Sequence, residues 1–189
     1  AKMAPGTDGN IISYDASGNP VAIATGNDGQ VLTSTGAGSP PAFEAPAGTT
    51  DVKFQAYAAS TASNVTGAGT AYTAVYGTEV FDTANAFSST TFTAPETGKY
   101  LLTVTMTFSG VTTAADSFQI SIVTSNRTYI TPHNHTNSIG NQPTRNSTVI
   151  ADMDASDTAS VRVVGTGESG DVWDFEDSYN NVFFGALLA

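Results

Sequence analysis

Apolar and polar residues alternate in short runs along this chain, and the longest run spans residues 91–110. There Tyr100, Leu102, Val104, Met106 and Phe108 fall on one face, and Leu101, Thr103, Thr105 and Thr107 on the other. A period of two predicts a half-buried β-strand, entered through a tight turn at Pro95 and Gly98. A strand this long must pair on both edges and press its apolar face onto a second sheet. The same alternation predicts strands at residues 52–57, 72–76, 78–82, 116–124, 147–153, 160–164 and 182–188. Phe118, Ile120 and Ile122 should point inward, and residues 147–153 and 160–164 should form a hairpin across Asp154 to Asp157. Residues 59–71 read as a loop or weak edge, 125–146 as a long surface excursion, and 165–181 as an acidic loop. No segment reads as a helix, so the class is all-β, an antiparallel sandwich or barrel.

Ahead of this lies a repeat. Gly6-Thr7-Asp8-Gly9-Asn10-Ile11-Ile12-Ser13 returns twenty residues on as Gly26-Asn27-Asp28-Gly29-Gln30-Val31-Leu32-Thr33, and Gly18 and Pro20 return as Gly38 and Pro40. Each unit is an Asp-Gly turn, a short apolar strand, a second turn and another short strand, at 21–24 and then at 42–45. A unit with so few apolar side chains cannot bury them alone, which is why such repeats stack. Three chains wound about one axis would each supply a wall of a shared core. The other reading is a flexible Gly/Ser/Asn linker. Pro40-Pro41 and Pro46 to Thr50 then punctuate, placing a boundary near residue 48: a repeat segment over 1–48 and a main domain over 49–189.

Two phrases carry a family likeness. Phe92-Thr93-Ala94-Pro95, Gly98 and Tyr100 open the long strand, and Val182-Phe183-Phe184-Gly185-Ala186-Leu187-Leu188 closes the chain. Over residues 52–189 this wording resembles the complement C1q / tumour necrosis factor superfamily. The resemblance implies a jelly-roll sandwich that works as a homotrimer. One turn departs from the family pattern: Asp157 matches its Gly-Asp, but the glycine is missing. The first 48 residues are similar to linker repeats of phage tail-fibre and other virion fibre proteins, often found just ahead of a tip domain.

Composition narrows the function. Cysteine is absent, so no disulfide staples the fold and no thiolate can act as nucleophile or ligand. Charged residues make up 12% and the net charge is −11, so six Lys and Arg cannot form a basic face for nucleic acid. No apolar run approaches the ~18 residues of a membrane-spanning helix. The first six residues hold no signal-peptide core, so the expectation is a piece cut from a longer polypeptide or a protein released by lysis.

The candidate chemistry is sparse. His133 and His135 form an H-x-H pair, and on an extended segment both imidazoles lie on one side, ~7 Å apart. Three such pairs about a threefold axis would suit an octahedral first-row metal, and histidine is also the natural pH switch. The plainer reading is a pair of exposed loop histidines, and no other cofactor is expected. Asp152, Asp154, Asp157, Glu168, Asp171, Asp174, Glu176 and Asp177 could suit calcium, which several members of the resembled family bind near the trimer apex. Their spacing matches no EF-hand loop and fits a solvated acidic face. Trp173, between Asp171 and Asp174 with Tyr179 nearby, could stack a sugar, or plug the sandwich end or a subunit seam. No nucleophile elbow or phosphate loop is present, so an enzyme is not expected, although paired carboxylates can be close in space without being close in sequence.

The chain therefore reads as a bacteriophage fibre or spike protein located in the virion and assembled in the host cytoplasm. Its partners would be two further copies of itself, other virion proteins, and a host-surface glycan or protein. Candidate contacts are His133, Asn134, His135, Asn137 and Asn141 in one loop, and Asp171, Trp173, Asp174 and Tyr179 in another. The alternatives are a capsid-anchored head fibre or decoration protein with a structural role, a C1q-like lectin outside any virus, and a glycan-degrading tailspike.

Overall fold

The computed structural model describes residue 7 and residues 9–45, 51–134 and 143–188. The chain divides into two compact units, Ala1–Thr49 and Thr50–Ala189.

The first unit holds two hairpins. In one, β1 (Ile11–Tyr14) pairs with β2 (Pro20–Ile23); in the other, β3 (Val31–Thr33) pairs with β4 (Ala42–Glu44). The repeat in sequence is a repeat in geometry. The Asn10 amide donates to the Thr7 carbonyl at 3.1 Å, and twenty residues on the Gln30 amide donates to the Asn27 carbonyl at 3.1 Å. Gly9 and Gly29 both hold φ at +83°, a left-handed value that favours glycine. The second hairpin is longer: Val31 pairs with Glu44, where strict repetition of Ile11 with Ile23 would give Phe43. Pro40-Pro41 stands where the first copy has a single proline. No described residue before Val52 belongs to the buried core, and Ile12 (52% exposed), Tyr14, Val31 and Leu32 are open to solvent.

The second unit is a two-sheet jelly roll with no helix among its described residues. Its strands are β5 (Lys53–Ala58), β6 (Ala62–Thr66), β7 (Ala71–Thr73), β8 (Thr78–Asp82), β9 (Phe87–Ser88), β10 (Thr91–Thr93), β11 (Gly98–Ser109), β12 (Ser117–Thr124), β13 (Thr128–Asn134), β14 (Thr144–Met153), β15 (Thr158–Thr166), β16 (Trp173–Phe175) and β17 (Ser178–Leu188). One sheet runs β13-β12-β15-β10-β9, with β7 also on β15. The other runs β6-β16-β11-β17-β5-β8, with β14 also on β11.

The predicted long strand is β11. It pairs over Gly98–Thr107 with β14 on one edge, and with β17 over Lys99–Thr105 on the other. Its inward residues Tyr100, Leu102, Val104, Met106 and Phe108 are fully buried. They meet Phe118, Ile120 and Ile122 of the facing sheet in one core. Burying a side chain of this size contributes roughly 1.5–3 kcal/mol. Phe54 stacks on Phe87 and Phe92 at 4.8 and 4.7 Å and meets Phe183 edge-on at 5.0 Å, tying β5 and β17 to the facing sheet.

Three expectations are corrected. Residues 128–134 are not excursion but strand β13, laid on β12. Its alternation, Tyr129, Thr131 and His133 inward, is masked in sequence because two of the three are polar. The segments on either side of Asp154 to Asp157 are no hairpin: β14 belongs to β11 and β15 to β12, so the turn crosses between sheets. Of the two readings of residues 59–71, the weak edge holds for 62–66, which form the edge strand β6 against β16. Within the acidic loop, β16 continues the line of β17 along β11, interrupted by a bulge.

The bulge is closed by Asn181, a fully buried side chain. Its Oδ1 accepts from the Thr107 amide, while its Nδ2 donates to the carbonyls of Thr107 (3.2 Å) and Glu176. One side chain thus replaces the ladder bonds that the bulge removes. Asn181→Ala should lower unfolding stability by roughly 2–4 kcal/mol, because it leaves buried backbone groups unsatisfied; denaturant titration reads this directly. At the crossing turn, Ser156 holds φ at +77°, a left-handed value that favours glycine. Ser156→Gly should therefore raise the denaturation midpoint, by up to about 1 kcal/mol in stability.

Candidate functional site

His133 and Trp173, one from each predicted contact loop, meet at the same core ring. The His133 ring lies 6.2 Å from Phe118, and Trp173 stacks on the same Phe118 at 5.7 Å. Asn134 is exposed at the end of β13. His135, Asn137 and Asn141 lie outside the described residues. His133 is half-buried rather than a free loop residue, and its Nε2 is enclosed with no hydrogen-bond partner among the described residues. Burial and the nearby Arg145 guanidinium hold its pKa below the usual value, against a backbone hydrogen bond with Asn146. Among the described residues no three His, Asp or Glu side chains cluster as a metal site.

The acidic stretch is built into the fold. Trp173 is fully buried, so it has no open ring face for a sugar, and of the two roles weighed for it the plug is the one it fills. It fits there because Gly165 has no side chain: a Cβ at that position would stand 2.1 Å from the indole. Its Nε1 donates to Glu168 at 3.1 Å, and Glu168 also accepts from the Thr112 amide (2.8 Å) and hydroxyl (2.9 Å). Asp171 accepts from the Ala68 amide at 3.0 Å, and Asp174 from the Asn64 amide at 2.7 Å. Asp171 and Asp174 pin the β6 segment to the sandwich end, and Glu168 ties Thr112 of the β11–β12 connection to the indole. Tyr179 alone of this group stands open, 78% exposed, with its ring 4.5 Å from Tyr57.

The other end of β11 carries a feature with no sequence motif behind it. Lys99, Asn126, Arg127, Tyr129, Ile150 and Asp152 line an open groove of about 510 Å³. Its parts come from the start of β11, the β12–β13 turn and the end of β14, far apart in sequence. The Arg127 guanidinium lies 5.9 Å over the Tyr129 ring, and Lys99 pairs loosely with Asp152 at 3.4 Å. The turn is tightly held. Thr124 and Arg127 exchange bonds of 2.8–3.0 Å, Ser125 donates to Asp157 at 2.7 Å, and Asn126 donates to the same carboxylate. Hydrogen bonds from Ser125, the Asp154 backbone and Asn126 lower the Asp157 pKa despite a small opposing effect of burial. The only signal in sequence was that two of six basic residues fall here, and pairing them needs the fold.

The Glu168 network has a sign. Burial alone would raise its pKa, but hydrogen bonds from Thr112 and Trp173 outweigh it and leave the value below the ordinary 4.5. The stabilisation is therefore present above about pH 4.5 and is lost as pH falls through the folded-state value. In thermal melts Glu168→Gln should lower stability at pH 7 and flatten the acid limb of the pH profile; an unchanged limb would contradict the assignment.

No family model matches the chain, and no curated protein matches it in sequence. Solved structures do match in fold. The globular domain of zebrafish complement 1qA aligns with a TM-score of 0.51 at 12% identity, over 74% of this chain and 98% of that domain. Murine APRIL aligns with a TM-score of 0.51 in crystals at pH 8.5 (12% identity) and pH 5.0 (11%), each over 73% of this chain and 99% of APRIL. At these identities the likeness is one of fold: the main domain is a C1q/TNF-like jelly roll.

Proposed function

We propose that the chain is part of a bacteriophage fibre or spike, a homotrimer whose jelly-roll tip attaches the virion to a host-surface glycan or protein. Residues 1–48 would form the shaft or collar and residues 49–189 the tip. The observation that carries this reading is the pair of matched hairpins with Ile12, Tyr14, Val31 and Leu32 uncovered. An apolar repeat that leaves these side chains uncovered within its own chain is explained by other copies of that chain around an axis.

The tip supports the same reading. The outward face of the seven-stranded sheet carries Tyr57, Phe81, Val182 and Phe184, all half-buried, besides the exposed Tyr179. A sheet with aromatic side chains on both faces is one whose second face suits a partner. Three weak sites on one particle would then gain affinity through avidity. The reading is of a binding protein without catalysis or a resident cofactor, and of a protein that belongs to the virion.

A structural head fibre is the second reading. Asp171, Trp173 and Asp174 are engaged within the chain, which removes part of the predicted receptor contact. Antibody labelling of virions separates the two, since tail labelling fits attachment and head labelling fits decoration.

Assembly is the first test. Light scattering on the full chain should return about three times the 19.4 kDa chain mass, and Phe184→Glu should reduce it toward a single chain. A single-chain mass for the unaltered protein would overturn the fibre reading.

A further inference from the structure

We propose that the groove between Arg127 and Asp152 binds a saccharide bearing a carboxylate, such as a uronic acid. This rests on the attachment reading for its biological purpose, but its chemistry stands on the groove itself. A chain of net charge −11 repels anions over most of its surface. Yet two of its six Lys and Arg line one cavity. Of the other described cations, Lys53 is paired with Asp51 at 2.8 Å, Arg145 donates to the Thr144 carbonyl, and Arg162 stands exposed on β15 with no second cation beside it in a groove. Arg127 makes no ion pair with any described carboxylate.

The remaining walls suit a sugar rather than a bare ion. About 510 Å³ is room for one or two pyranose rings. Tyr129 and Ile150 offer apolar surface to the C–H face of such a ring. Asp152 and Asn126 offer acceptors and donors at the rim for hydroxyl groups. Arg127 presents a planar fork that matches a carboxylate, on a turn already fixed by Thr124, Ser125 and Asp157, so little ordering is needed on binding. Lys99 adds a second positive charge, and its loose pairing with Asp152 can open without leaving a buried charge behind.

The experiment is an NMR titration of the full chain with glucuronic acid and, in parallel, glucose. Glucuronic acid should shift amide signals of residues 126–129 and 150–152 saturably, with glucose about tenfold weaker or more. Arg127→Ala should remove that preference, while Arg162→Ala, an exposed cation on β15 outside the groove, should keep it at the same change in net charge. Equal binding of both sugars, no saturable shift, or a response spread equally over both variants would overturn the groove. Adsorption of the protein to host cells separates this from the attachment reading. Cell binding without uronate binding overturns the groove and leaves attachment standing; uronate binding without cell adsorption supports the groove and counts against attachment.

Discussion

Strand β11 is the constraint on which the main domain depends. It is hydrogen-bonded along both edges and buried on its inner face, so none of its backbone polar groups can be left to solvent. Its neighbours follow from that demand. β14 must satisfy one edge for ten residue pairs, and β17 the other until the bulge, where Asn181 takes over and β16 resumes the line. The facing sheet exists to cover what β11 buries, and the phenylalanines around Phe54 lock the two together.

The two ends of the sandwich are used differently. At the end near Phe108, the carboxylates of Glu168, Asp171 and Asp174 answer backbone amides and an indole, and their charge is absorbed into the architecture. At the end near Gly98, a fixed turn carries a guanidinium that pairs with no described carboxylate beside a groove. An acidic run in sequence thus became scaffold, and a scatter of ordinary residues became the open surface. Charge in a sequence counts chemical groups; only hydrogen-bond partners tell which of them are still available.

The N-terminal unit is organised by the opposite economy. Its hairpins satisfy their backbones locally and bury almost nothing, so their regularity serves no core of their own. Matched turns and matched glycine conformations at the same spacing keep the uncovered Ile, Val and Leu side chains in register. Register of that kind is useful to a surface that meets copies of itself.

The sequence by itself determined the all-β class, the inward face of β11, the inward row of β12, and both hairpins of the repeat. Each rests on local physics: a period of two over apolar residues, or a glycine where the turn needs positive φ. It misread β13, whose inward positions are Tyr, Thr and His, because the pattern there is polar while the burial is set by β12 beside it. It missed the crossing between β14 and β15, because a turn looks the same whether the next strand pairs within its sheet or leaves it. It left the role of Trp173 open, since the space for the indole is made by the absent side chain of Gly165 on another strand. The groove was invisible for the same reason: Lys99, Arg127 and Asp152 are ordinary surface residues until β11, the β12–β13 turn and β14 bring them together. Alternation and turns act between near neighbours and are written in the chain; pairing partners, crossings and cavities are long-range, and only the folded structure decides them.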